Sequence, residues 1–244
     1  MCIVKLVMKG DYFMLQVFMI WQNGKKSEEQ ILNDIKIKYD IIQVFDVLWN
    51  QKEFAHNLSR FYGKRLPAGC KKERECGTGA FVLIVCDDKN PDLVDDARHL
   101  GEKSNANAIR DKAMYRKWTG GGDLVHASDN ASETNENLLF LLGITSDEFC
   151  AKYTNLWNGE KIYLSQKMIG EDGWKNVHEL KGFVAKILNT NVDVIDNALT
   201  ITTNNVALVA RLLNLKKSFS LFKKNKYNIL INEKKTDVLL KATV

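Results

Sequence analysis

The sequence predicts an α/β fold of the α+β kind, in which helices pack on a small sheet, with a smaller α/β domain at the C-terminal end. Three observations predict it. Apolar segments of strand length alternate, in the first half of the chain, with segments whose apolar residues recur at helical spacing. Residues 80–86 (AFVLIVC) are apolar throughout, as in a central strand buried on both faces. With 244 residues the chain is long for one small unit, so we predict two domains, 1–145 and 146–244.

The first four predicted elements are a strand, a helix, a strand and a helix. Residues 14–21 form an apolar run that ends at the turn signal Asn23-Gly24. Residues 28–39 carry apolar residues at helical spacing and begin with two glutamates, which favour a helix N-terminus. Residues 41–49 are rich in β-forming residues, and residues 52–62 end at a glycine, which is typical of a helix C-terminus.

Five further elements complete the first domain. The strand 80–86 is followed by Pro91, which marks a turn into a helix that ends near residues 100–101. The polar stretch 102–122 is predicted to be a long loop. Residues 123–126 form a short strand, and residues 133–142 form a helix that ends at a glycine.

The C-terminal domain shows the same mixture of periodicities. Helical spacing predicts helices at 174–188 and 206–213. β-Propensity predicts strands at 192–195 and 198–203 and a terminal hairpin at 227–240. Asp193 and Asp196 lie near one strand edge, where two carboxylates could hold a magnesium ion. Their Asp-x-x-Asp spacing does not put both on one face of a strand, so a turn aspartate and a helix-cap aspartate are favoured and no metal ligand is predicted. This stretch distantly resembles the nucleotidyltransferase-like enzymes of surface-polysaccharide synthesis.

Composition limits the partners and the location. Lys and Arg total 35 against 30 acidic residues, a net charge of +5, and no nucleic-acid-binding motif accompanies the basic clusters. No apolar run reaches the ~18 to 20 residues that cross a bilayer. The five cysteines contain no close pair at metal-binding spacing, which predicts free thiols in a reducing compartment. We therefore expect a soluble, cytoplasmic protein that binds neither nucleic acid nor membranes.

His126 is the side chain with the most suggestive surroundings, because it ends a predicted strand and precedes a polar turn and a helix. A neutral imidazole can act as a nucleophile toward phosphorus. Three ordered segments surround it in the sequence: Leu100-Gly101-Glu102 with Ser104-Asn105, then Ile109-Arg110-Asp111, then Val125-His126-Ala127-Ser128-Asp129. They resemble, in the same order, signature segments of the nucleoside diphosphate kinases. The resemblance covers about 130 residues and implies a ferredoxin-like antiparallel sheet.

The resemblance also implies a chemistry and a set of site residues. His126 would accept the γ-phosphate of a nucleoside triphosphate, or of another phosphorylated small molecule, bound with Mg²⁺, and pass it to a second nucleotide. Glu133 would orient the imidazole. Four residues would bind the phosphates: Arg98, Ser104, Arg110 and, reaching from the first turn, Lys25. Because members of the family assemble into tetramers or hexamers, a homo-oligomer is implied as well.

Three positions depart from the family pattern and leave alternatives open. No lysine ends the first strand, Asp123 replaces an asparagine, and Ala127 replaces a glycine directly after His126. An added carboxylate repels a triphosphate, and a Cβ obstructs a close approach. The sequence is therefore compatible with a divergent phosphotransferase acting through His126, with a catalytically silent nucleotide- or phosphate-binding module, and with a nucleotidyltransferase-like enzyme.

Overall fold

A computed structural model describes residues 14–99, 101–165, 167–188, 192–195, 198–218 and 226–242. The chain divides into two compact units, each considered by itself below. The described residues of the first unit are 14–51, 69–99, 101–138 and 146–165, and the second unit contains the remainder. The units thus differ from the predicted domains 1–145 and 146–244, because the chain passes from one unit to the other several times.

The elements are, in chain order, β1 (Met14–Ile20), α1 (Glu28–Lys38), β2 (Asp40–Leu48), α2 (Phe54–Tyr62), α3 (Lys71–Cys76), β3 (Phe81–Asp88), β4 (Leu93–Asp95), β5 (Lys103–Asn105), α4 (Ala106–Trp118), β6 (Val125–Ala127), α5 (Ala131–Leu142), α6 (Ser146–Lys152), β7 (Ile162–Ser165), α7 (Val177–Leu188), β8 (Val192–Ile195), β9 (Ala198–Thr203), α8 (Val206–Leu212), β10 (Lys216–Lys217), β11 (Lys226–Ile231) and β12 (Lys234–Ala242). Short 3₁₀ helices precede α1 and α2. No helix that the structure describes is both long and apolar enough to cross a membrane.

The first unit contains a five-stranded sheet with the order β6-β1-β3-β2-β7. Neighbouring strands are antiparallel except β2 and β7, which are parallel. The elements β1, α1, β2, β3, α4 and β6 follow the order βαββαβ, with strands arranged as in a ferredoxin-like sheet. The predicted fold class is confirmed, and the predicted strands 14–21, 41–49, 80–86 and 123–126 lie in one sheet as antiparallel neighbours. Strand β7 is an addition that the sequence analysis did not predict.

Alternation along the strands divides the sheet into two faces. One face packs against α1 and α4, and its buried core includes Phe18, Ile20, Ile84, Val125 and Ala127. His126 lies between Val125 and Ala127, so its side chain points to the opposite face. That face therefore determines which groups the imidazole can meet.

The segment 91–122 differs from its prediction. The predicted helix after Pro91 is instead a small hairpin of β4 and β5, and the predicted loop 102–122 contains the 13-residue helix α4. Asn105 caps α4, since its side chain accepts a hydrogen bond from the backbone N–H of Asn107 at 3.1 Å. The helix lacks a regular apolar spacing in the sequence, because Asp111 occupies one of its buried positions.

The second unit contains a sheet with the order β10-β11-β12-β9-β8, in which only β9 and β12 are parallel neighbours. Its predicted helices, strands and terminal hairpin are confirmed. Asn232 and Glu233 connect the hairpin with positive φ angles of 48° and 63°, as a two-residue turn between twisted strands requires. Asp193 lies in β8 and pairs with Thr200, whereas Asp196 lies outside the described residues.

A buried arginine joins three segments of the second unit. The Arg60 side chain donates hydrogen bonds to the carbonyl oxygens of Ile169, Arg211 and Leu212. Burial, the main influence, lowers the pKa of this guanidinium to about 10. Four cysteines are free thiols, Cys70, Cys76, Cys86 and Cys150, as predicted; Cys2 lies outside the described residues.

Candidate functional site

His126 lies on the edge strand β6, opposite Met19 of β1, and only 6% of its surface is exposed. Its Nε2 atom is 2.9 Å from the Asn137 side-chain nitrogen and 3.9 Å from a carboxylate oxygen of Glu133. With the Asn137 amide in this orientation, the amide donates and the lone pair of Nε2 accepts. The nitrogen nearest to Glu133 is therefore engaged in a hydrogen bond within the protein.

The electrostatic surroundings keep the imidazole neutral. Burial lowers the pKa of His126 well below its ordinary value, and the positive charges of Lys112, Lys72 and Arg116 lower it further. Burial also raises the pKa of Glu133. A neutral imidazole has the protonation state that a nucleophile needs, but a nucleophile must also be reached by its substrate.

Asp129 is the centre of the charged groups in this region. Its carboxylate contacts Lys112 Nζ, Arg98 Nη2 at 3.2 Å and His99 Nε2 at 3.6 Å. Its backbone N–H donates to a Glu133 carboxylate oxygen at 2.6 Å. The structure thus brings three of the predicted site residues together around Asp129: His126, Glu133 and Arg98.

The other three predicted site residues have other neighbours, although Ser104 precedes Asn105, whose backbone N–H donates to the carbonyl oxygen of Asp129 at 2.7 Å. Ser104 is fully buried in β5, and its hydroxyl has no hydrogen-bond partner among the described residues. Arg110 has a side chain that is 64% exposed and donates to the Asn107 side chain. Lys25 pairs at 2.7 Å with Asp46 of β2, a strand roughly 14 Å from β6 in the sheet order.

Lys112 and Arg116 of α4 were not among the predicted site residues. Lys112 Nζ donates to the carbonyl oxygen of Ala127 at 3.2 Å, and Arg116 Nε donates to that of Val125 at 2.8 Å. Both carbonyl groups point away from β1, so α4 side chains satisfy the free edge of β6. The i,i+4 spacing of the two cations could have indicated a shared face, whereas Arg110 is rotated by roughly 200° from Lys112 around the helix.

The residues around Asp129 fit a Mg²⁺ ion poorly. Oxygen or nitrogen atoms of Asp96, His99 and Asp129 lie within 4.8 Å of one another. The two carboxylates already share the Arg98 guanidinium, and Asp129 also contacts Lys112. Mg²⁺ prefers an octahedral shell of oxygen atoms, and here it would have to displace paired cations. The Mg²⁺ that the resemblance implied stays a prediction.

A cleft of about 550 Å³ lies between α1 and the segment that leads into β7. Its lining consists of Lys25, Lys26, Glu28, Glu29, Leu32, Asn33, Lys36, Trp157, Gly159 and Lys161. Lys25 pairs with Asp46, and Lys161 pairs with Glu28. Lys36 Nζ lies 4.7 Å from the centre of the Trp157 ring. Four lysines and one aromatic ring therefore face the same space.

Comparison with known proteins adds no relative. No protein-family model matches the chain, and neither does any curated protein. The resemblance to nucleoside diphosphate kinases stays a prediction from the sequence.

Proposed function

We propose that the first unit is a catalytically silent module that binds a phosphorylated small molecule, and that His126 has a structural role. The observation that carries the proposal is the cleft, whose lining contains four lysines and an aromatic ring. Ammonium groups that converge on one space favour a ligand with more than one negative charge. Lys25, which the family resemblance placed among the phosphate-binding residues, belongs to this cleft rather than to the surroundings of His126.

Phosphoryl transfer through His126 finds little support in the geometry. Transfer requires a reacting nitrogen about 3 to 3.5 Å from phosphorus and cations that neutralise the moving phosphoryl group. The imidazole is 6% exposed, and its Nε2 atom is hydrogen-bonded to Asn137. The nearby cation Lys112 already neutralises Asp129 and satisfies a backbone carbonyl group. These groups hold the native structure together, and a phosphate would have to displace them.

The residues around His126 have a consistent structural explanation. Asn130 accepts a hydrogen bond from the backbone N–H of Glu133 at 2.8 Å, while Glu133 accepts one from the backbone N–H of Asp129. This reciprocal arrangement resembles a capping box and supports the start of α5. Ser128 accepts a hydrogen bond from the backbone N–H of Val17 at 3.0 Å and so ties the turn to β1. The motif thus fastens a strand end to a helix start.

Two measurements on the full chain test the proposal. Incubation with γ-labelled ATP and Mg²⁺ should leave no acid-labile, base-stable label, because no phosphohistidine forms. Calorimetric titration with inorganic triphosphate should show that the wild type binds it. The affinity should be lower in Lys26→Gln and in Lys161→Gln. Lys71→Gln is the matched control, since Lys71 is 84% exposed and lies outside the cleft.

Either half of the proposal can fail separately. Acid-labile label that disappears in His126→Ala would establish phosphotransfer and refute the silent role. Absence of triphosphate binding, or equal weakening in Lys71→Gln, would show that the cleft lysines are an ordinary charged surface.

A further inference from the structure

We infer that the ligand of this cleft has two parts, a planar ring that stacks on Trp157 and at least two phosphate-like groups held at the start of α1. This inference rests on the proposed function and adds the chemical class and the orientation of the ligand. Three features carry it: the fixed position of the Trp157 ring, the distribution of lysines along α1, and the charge that remains after internal pairing.

Trp157 is held in place from two sides. Its ring packs partly against the buried core of the sheet, and its indole N–H donates to the carbonyl oxygen of Glu160 at 2.5 Å. Lys36 lies over the ring, so the cleft side of the ring contacts a flexible, exposed side chain rather than packed protein. A cation–π contact at an exposed site is weak. A planar ring can therefore replace Lys36 on an aromatic surface whose orientation is already fixed.

The other three lysines of the cleft lie toward the first turn of α1. Lys25 and Lys26 precede the helix, and Lys161 contacts Glu28, its first residue. Lys36 lies eight residues beyond Glu28, or about 12 Å along the helix axis. A ring on Trp157 would thus direct the remainder of the ligand toward the first turn of α1. The helix N-terminus adds a partial positive charge there, although Glu28 and Glu29 oppose it.

The cleft has more lysines than carboxylates, by one when Asp46 is included. The lining contains four lysines against two glutamates, and Lys25 is additionally paired with Asp46. The Lys25–Asp46 pair is partly exposed on both side chains, at 28% and 27%, so it can exchange partners at small cost. A single phosphate group would gain little over the carboxylates that it replaces. Two or more linked phosphate groups can contact Lys26 and the exchangeable lysines together.

Three probes separate the two parts of the ligand. Adenosine carries only the ring, pyrophosphate carries only the anionic groups, and ADP carries both. The full chain is titrated with each probe by calorimetry, at one low salt concentration. We expect ADP to bind about fivefold to a hundredfold more tightly than pyrophosphate, the range that one stacked base provides. Adenosine alone should bind most weakly.

Substitutions assign each part to its residues. Trp157→Leu should abolish the advantage of ADP over pyrophosphate, leaving pyrophosphate binding unchanged. Trp118→Leu is the matched control, because Trp118 packs against the same core but lies outside the cleft. The double variant Lys26→Gln/Lys161→Gln should weaken both phosphate-containing probes to a similar degree, by about threefold or more.

The outcomes distinguish this inference from the proposed function. Equal affinities for ADP and pyrophosphate in the wild type, with lysine dependence intact, would overturn the two-part ligand while the phosphate-binding function stands. Absence of binding of both probes would overturn both. If Trp157→Leu fails to fold, tryptophan fluorescence is measured instead. Stacking on Trp157 is supported if ADP quenches the fluorescence, pyrophosphate does not, and Trp118→Leu retains the quenching. Lack of such quenching refutes it.

Discussion

The neutral, buried state of His126 predicts a specific dependence of stability on pH. Burial, reinforced by the charges of Lys112, Lys72 and Arg116, lowers the pKa of His126 below the 6.5 of an unperturbed histidine. Below pH 6.5 the unfolded chain therefore binds a proton that the folded chain does not. The full contribution of this residue is present above that pH and is lost as the pH falls toward the folded-state pKa.

The size of the effect follows from the unfolded-state pKa. At pH 5.5, one unit below 6.5, protonation of the unfolded chain lowers the free energy of unfolding by about 1 kcal/mol, because the buried imidazole with its lowered pKa binds that proton less readily. At pH 7.5 the same contribution is below about 0.1 kcal/mol. Acidification between these values should therefore destabilise the wild type by about 1 kcal/mol more than His126→Gln, which lacks the titrating group.

Urea unfolding followed by tryptophan fluorescence measures this difference. Four of the five tryptophans belong to the first unit, Trp21, Trp49, Trp118 and Trp157. His178→Gln is the control, because His178 is exposed and lies in the second unit, so this substitution leaves His126 and its surroundings unchanged. The same pH dependence in His126→Gln and the wild type would show that the imidazole titrates freely, as an accessible phosphate acceptor could, and would refute the buried, structural role.

Three further substitutions test individual contacts by urea or thermal unfolding. Lys112→Met leaves the carboxylate of Asp129 and the carbonyl of Ala127 with fewer donors, so we expect a loss of about 3 kcal/mol; a loss under ~0.5 kcal/mol would contradict the edge-capping role. Arg60→Met removes the donor of three carbonyl oxygens and should destabilise the second unit by about 3 kcal/mol or more. Glu233→Gly should stabilise it by about 1 kcal/mol, because glycine adopts a φ of 63° without steric cost; an unchanged melting temperature would oppose this explanation.

The sequence predicted the central strands well because their signal is local. Residues 80–86 are apolar at every position, and strand β3 is buried along its whole length, between β1 and β2. Strand β7 has no such signal. It lies at the sheet edge, its Tyr163 is 60% exposed, and its parallel pairing with β2 links residues more than a hundred positions apart. Such a pairing depends on the tertiary structure and leaves little trace in local periodicity.

Helix α4 was missed for a different reason. The apolar spacing expected of a buried helix face is interrupted by Asp111, whose side chain is charged although the residue is only 1% exposed. The carboxylate is accommodated because Lys38 Nζ and the Tyr39 hydroxyl contact it at 3.0 and 2.8 Å. These partners come from the end of α1 and the residue that follows it, more than 70 positions earlier in the chain. A charged residue on a buried helix face is stable only in the folded structure, so the sequence alone could not assign it.

Site residues were predicted from sequence position, but helix register decides where they point. Arg110 matches an arginine of the family motif, yet it faces solvent, whereas Lys112 and Arg116 reach the β6 edge. Moving two residues along a helix changes direction by roughly 200°. A motif match therefore identifies a position in the chain, but it does not predict which group the side chain at that position contacts.

The turn after His126 shows why a polar motif can resemble an active site. Groups suited to catalysis, a hydroxyl, an amide and a carboxylate, are also the groups that satisfy backbone N–H donors at a strand end and a helix start. Here Ser128, Asn130 and Glu133 each accept a hydrogen bond from a backbone N–H group. A binding or catalytic role requires polar atoms that face a space open to a ligand, whereas a structural role requires polar atoms that contact the protein itself. Around His126 they face the protein, whereas around Trp157 the lysines face a cleft, so ligand chemistry is better sought there.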